Sequence, residues 1–230
     1  MAENPPPATD LGLLRRASPL DVGQGRFDPT RFSPDQALAI EAGVVEAQQM
    51  VRRGGIGGAS FIDGWSYPRS DLGNFGQSYL YRAAVALAGL AALPPVEALY
   101  MRARGERGGL FDGARDWRLH FPADHLPAVE SFWSLSLCEA TPDGQFFFSD
   151  NPLSRYAIGD RSPGLAYNKD GSLDIWIGHQ SPGQSLETNW LPAPDSAFAL
   201  FMRAYLPKPA LLEGSYRLPP VTPVTDGARH

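Results

Sequence analysis

NKDGSLDIWIGH, residues 168–179, sets the reading of the whole chain. Asn-Lys-Asp-Gly is turn chemistry: Asn and Asp tolerate left-handed backbone, and Gly adopts it without steric cost. A β-hairpin is expected around it. Beyond the turn, Leu173, Ile175, Ile177 and His179 fall on one face of an extended chain. The same grammar continues on both sides. EALYMRARG (97–105), RDWRLHFP (115–122), SFWSLSLCE (131–139), QFFFS (145–149), RYAIG (155–159) and AFALFMRAYL (197–206) all read as strands rich in aromatic and branched residues. ERGG, TPDG and Pro-rich corners separate them. This regular spacing predicts an antiparallel β-sandwich of the jelly-roll kind.

Upstream the period changes. Ser33, Pro34 and Gln36 form a capping box with proline in the first turn. Ala37, Ile40, Val44, Ala47 and Val51 then recur at helical spacing. Arg52 and Arg53 favour the C-terminal end, and Gly54-Gly55 stop the helix. The run GGIGG (54–58) lacks the Lys-Ser/Thr of a phosphate loop and reads as a helix exit. A second helix is expected from about Gly76 to Leu93, apolar almost all round and so buried on several sides. Arg82 is the one charge on that rod, and burial demands a carboxylate or a ligand anion for it. The prolines of residues 1–32 argue against regular structure there. The organisation expected is α+β: an extended arm (1–32), a helical subdomain (33–96), the β-sandwich (97–222) and a flexible tail (223–230).

Composition narrows function by exclusion. A chain of 230 residues can bury a proper core, and its 24 glycines and 22 prolines suit many short elements joined by turns. Net charge is −5 with no basic stripe, which argues against nucleic acid. No leader-like or membrane-spanning apolar run is present. One cysteine, Cys138, allows neither an internal disulfide nor a CxxC site, so a reducing, cytoplasmic setting is expected. Nucleophile-elbow, zinc-protease, Walker and Rossmann motifs are all missing, so no metal or other cofactor is expected. His120 shares the non-core face of its strand with Arg118; that face is either solvent or the lining of a cleft, and His120 taken alone reads as a surface residue. In NPLSRYAIGDRSPG (151–164), the Asn-Pro, Gly-Asp and Ser-Pro-Gly steps read first as a corner that sets strand register. An anion clamp by Arg155 and Arg161 is the alternative.

YLYRAAVALAGL (79–90), LHFPADHLPAVESFWSLSL (119–137), residues 151–183 and NWLPAP (189–194) resemble, block after block, the family of domain of unknown function 1214. The resemblance runs over roughly residues 60–222. It implies a jelly roll preceded by helices. In many relatives a second uncharacterised domain, 1254, comes first; here an arm and one helix stand in its place. The family supplies no catalytic residues to carry over.

The site is therefore argued from residue types. If the helical part covers one mouth of the sandwich, Trp65, Tyr67, Tyr81, Trp133, Arg155 and Trp176 line a substrate pocket. Tyr79, Arg82, His179 and Tyr205 would serve there as acid, base and anion stabiliser. The expected activity is that of a cofactor-independent lyase or hydrolase on a small, partly apolar or aromatic metabolite. A carbohydrate- or small-molecule-binding module, with exposed Trp stacking on sugars, is the first alternative. A homo-oligomer that exchanges its N-terminal arm is the second.

Overall fold

A computed structural model of the chain describes residues 6–20, 27–54, 60–105 and 108–224. Two compact units result. A helical unit takes the chain up to residue 57 together with 73–92, and a β unit takes 58–72 and everything from 93 onward.

In the helical unit, α1 (Leu11–Ala17) forms inside the segment expected to be an extended arm. The prolines did not prevent it because Pro7 precedes the helix and Pro19 follows it, leaving two turns free of proline. Helix α2 (Pro34–Gly54) starts at the expected capping box. The Ser33 amide donates to Gln36 Oε1 at 2.9 Å and the Gln36 amide to Ser33 Oγ at 3.3 Å. Of its expected apolar face, only Ile40 and Val51 are even half-buried. Helix α3 (Tyr79–Ala88) is shorter than expected and buries one stripe, Tyr81, Ala84 and Val85. Leu80 and Leu87 are exposed, so the expectation of burial on several sides is corrected. Apart from Gly54, the GGIGG run lies outside the described residues, as does most of the expected tail.

In the β unit all seven expected strands form: β3 (Ala98–Ala103), β4 (Trp117–Phe121), β5 (Val129–Ala140), β6 (Phe146–Phe147), β7 (Ala157–Gly159), β8 (Leu173–Gly178) and β10 (Phe198–Pro207). Four three-residue strands join them: β1 (Ser60–Ile62), β2 (Trp65–Tyr67), β9 (Trp190–Pro192) and β11 (Val221–Pro223). The larger sheet runs β1-β2-β3-β10-β5-β6, with β7 also on β5; the smaller runs β11-β4-β8-β9. All pairs are antiparallel except β8 with β9, which is parallel. Helix α4 (Pro209–Glu213) follows β10.

The two sheets share one core. Leu135, Leu137, Leu200 and Met202 come from the larger sheet, and Leu119, Phe121, Ile175 and Ile177 from the smaller. Phe121 meets Trp133 across it, ring centroids 5.9 Å apart. The NKDG turn closes as expected, with the Asn168 amide on the Ser172 carbonyl at 2.8 Å and Gly171 at φ +86°. The hairpin does not form: β8 pairs with β4 and β9, and the chain before the turn joins no strand.

Candidate functional site

The ten expected site residues divide between the units. Tyr79, Tyr81 and Arg82 lie on α3 in the helical unit. Arg82 finds a carboxylate, but the buried member of the pair is the acid: Nη1 donates to Asp10 Oδ2 at 2.9 Å, the Arg82 side chain being 40% exposed and that of Asp10 8%. Its guanidinium also sits over the Tyr79 ring, 5.1 Å from the centroid. The Tyr79 hydroxyl reaches the Thr9 carbonyl at 3.4 Å. Tyr81 is buried edge-on against Phe75. The bonds to Thr9 and Asp10 hold α3 to the 3-10 turn (Ala8–Asp10) that precedes α1.

The other residues belong to the β unit and do not form one pocket within it. Trp65 and Tyr67 lie in β2, not among helices, and are part of the shared core with Trp133. Trp65 Nε1 donates to the Pro219 carbonyl at 2.8 Å, and the Tyr67 hydroxyl accepts from the Leu218 amide at 2.8 Å. All five tryptophans are 7% exposed or less, so none offers the stacking platform that a sugar-binding surface needs. His179 does not continue the buried face of β8. It lies just beyond the strand end, exposed, with Nδ1 donating to the Ala193 carbonyl at 3.0 Å. Tyr205 lies on the non-core face of β10, stacked on Phe132 at 4.2 Å. Arg155 clasps backbone: Nη1 donates to the carbonyls of Glu187 and Trp190, each at 2.7 Å. Asp160 accepts from the Trp133 amide, and Arg161 covers the Phe132 ring. Residues 151–164 are thus a corner that binds β7 to β5 and to the 187–190 segment.

A different group of polar side chains converges on the non-core face of the smaller sheet. His120 on β4 and Asp174 on β8 are register partners. His120 Nδ1 lies 2.8 Å from Asp174 Oδ1. A carboxylate oxygen only accepts, so Nδ1 carries the proton and a neutral ring presents Nε2 as a bare lone pair. Asn168 Nδ2 donates to the other carboxylate oxygen at 2.9 Å. Arg118 Nε stands 3.6 Å from Asp174 Oδ1, and its guanidinium is 5.8 Å from the Trp176 ring centroid.

Beneath this group the buried Asn189 side chain ties two segments together. Its Nδ2 donates to the carbonyls of Asp174 and Ala166, and its Oδ1 accepts from the Ala166 amide. The strand carrying Asp174 and the segment leading to Asn168 are therefore held in one geometry. Beside it the Ser172 hydroxyl and amide hold the Asp170 carboxyl below its ordinary range. Asp174 is largely covered while His120 is 39% exposed: the carboxylate is fixed and the imidazole reaches solvent.

Among the described residues, no group of three His, Cys, Asp or Glu is placed to hold a metal ion. None of the described helices is long and apolar enough to cross a membrane.

Residues 97–209 match the family described as "Protein of unknown function (DUF1214)". The crystal structure of the VPA0106 protein from Vibrio parahaemolyticus is similar over 94% of this chain and 51% of its own, with 25% identity and a TM-score of 0.64. A putative uncharacterized protein from Burkholderia cenocepacia aligns over 94% of this chain and 49% of its own, with 15% identity and a TM-score of 0.43. The chain spans about half the length of these structures. No curated protein matches it.

Proposed function

We propose, for a chain whose residues 97–209 belong to the DUF1214 family of proteins of unknown function, an acid–base enzyme without a resident cofactor. It is a hydrolase or lyase for a small, partly apolar or aromatic metabolite. The base is His120, a residue that strand alternation alone assigns to the surface, rather than His179. One observation carries this reading: His120 Nδ1 is anchored at 2.8 Å on a carboxylate that is itself held from its other oxygen. Such an anchor selects the tautomer with a free Nε2 and stabilises the imidazolium formed when Nε2 takes a proton.

Arg118 supplies positive charge on the same face, where an anionic transition state would form. The two-sheet unit is read as a jelly-roll variant. That scaffold hosts many chemistries, so the site and not the fold bears the argument. A cytoplasmic location fits the single, partly buried thiol of Cys138.

The test is hydrolysis of 4-nitrophenyl acetate by the full chain and by H120Q. A positioned general base contributes roughly 10²–10⁴-fold. H120Q should lose about 100-fold or more while keeping its melting temperature. Equal rates for the two proteins, or a wild-type rate no higher than that of free imidazole at the same concentration, would sink the reading.

A further inference from the structure

Covering a charge calls for a counter-charge, and the Arg82–Asp10 pair supplies one for its buried carboxylate. Among the described residues Arg102 has none. It sits on β3 between Met101 and Ala103, which belong to the core, so its side chain emerges on the other face of the larger sheet. There it crosses the Phe146 and Phe201 rings, its guanidinium carbon 4.3 Å and 5.7 Å from their centroids. Its Nε is buried with no hydrogen-bond partner. Burial pushes the guanidinium below its ordinary value, and the like charge of Arg104 adds to this.

A second guanidinium lies beside it. In register, Arg102 faces Phe201 and then Ser136 across three strands, and Arg203 faces Tyr100 and Ser134 in the adjoining row. Arg102 and Arg203 are therefore diagonal neighbours, their backbones roughly 7–8 Å apart. Arg203 Nη1 donates to Ser136 Oγ at 2.8 Å. Among the described residues no carboxylate lies within ion-pair distance of either arginine.

Two half-buried cations without an anion are unfavourable in the free protein, and one anion between them removes the imbalance. We infer that this face of the larger sheet binds a small organic carboxylate with a flat apolar body, its carboxylate between Arg102 and Arg203 and its body against Phe146 and Phe201. Guanidinium forks match carboxylate oxygens bidentately. The ring faces suit a planar group and give a fully hydrated anion such as phosphate nothing to rest on. This inference does not depend on His120, which lies on the other sheet.

The experiment is isothermal titration calorimetry of the full chain with sodium benzoate, sodium acetate and inorganic phosphate, repeated on R102M and R203M with melting temperatures measured without ligand. Benzoate should saturate the wild type, acetate should bind at least tenfold more weakly, and phosphate more weakly than benzoate. R102M keeps an apolar stem against the rings, so it should weaken benzoate at least tenfold while its melting temperature stays level or rises. R203M should weaken benzoate likewise. Absence of saturable benzoate binding, phosphate binding the tighter, or unchanged benzoate affinity in R102M would each overturn the assignment. A marked fall in the melting temperature of R102M would overturn it too, because Arg102 would then be holding the fold.

Discussion

Gly159 lies where β7 passes over β5. A methyl group at its Cα would run into the carbonyl of Trp133, a backbone atom with no room to yield. The same step puts the Gly159 amide on Ser162 Oγ and the Asp160 carboxylate on the Trp133 amide. G159A should therefore separate the two strands locally and cost about 2–4 kcal/mol. Urea denaturation would measure it, and a midpoint equal to wild type would show that β7 shifts freely. The turn residues around Gly159 were legible as a corner because their chemistry is local. His120 was not legible as a site. Its partner, Asp174, is 54 residues away, and only the β4–β8 register brings the two together. Alternation told which face His120 occupies but not who faces it.

At the scale of elements, the reciprocal Ser33–Gln36 bonds close the first turn of α2. Much of this helix lies open to solvent, so tertiary packing compensates little for a lost cap. S33A should destabilise the helical unit by about 1 kcal/mol. Circular dichroism during thermal melting would read it as an earlier loss of helix, and an unchanged curve would mean the cap is redundant. The long strands β5, β8 and β10 could be read from sequence because each alternates through several cycles. Three-residue strands such as β2 and β9 carry too little period to declare themselves. Trp65 and Trp190 owe their places to partners on β3 and β8, and those pairings are set by the whole sheet. The helix of α1 was missed for another reason: prolines that flank a short helix look, in sequence, like prolines that forbid one.

Across the whole molecule, burial leaves a pH signature. Tyr67 and Tyr216 sit in the shared core, and burial raises both phenols above their ordinary value of 10.0. For Tyr67 the Leu218 amide opposes the rise without cancelling it, and for Tyr216 the neighbouring Tyr67 adds to it. Unfolded, both would ionise near pH 10. Their contribution to stability is therefore complete below that pH and is lost as pH climbs through the folded values. Melting temperature should fall in strong alkali, with part of the phenolate absorbance appearing only as the protein unfolds. Y67F and Y216F should each remove a share of that late signal. If all phenolate absorbance appeared before unfolding, the two rings would be open to solvent in the native state.

Strand β10 stands in the middle of the larger sheet, paired with β3 on one side and β5 on the other, yet it occupies residues 198–207. During synthesis β3 and β5 leave the ribosome long before the strand that joins them. Until then each carries an open row of amides and carbonyls beside apolar side chains, a template for pairing with other chains. The order of the strands thus leaves the nascent protein most open to aggregation once β5 is complete, while residues 141–197 are being made, and one late strand closes both edges.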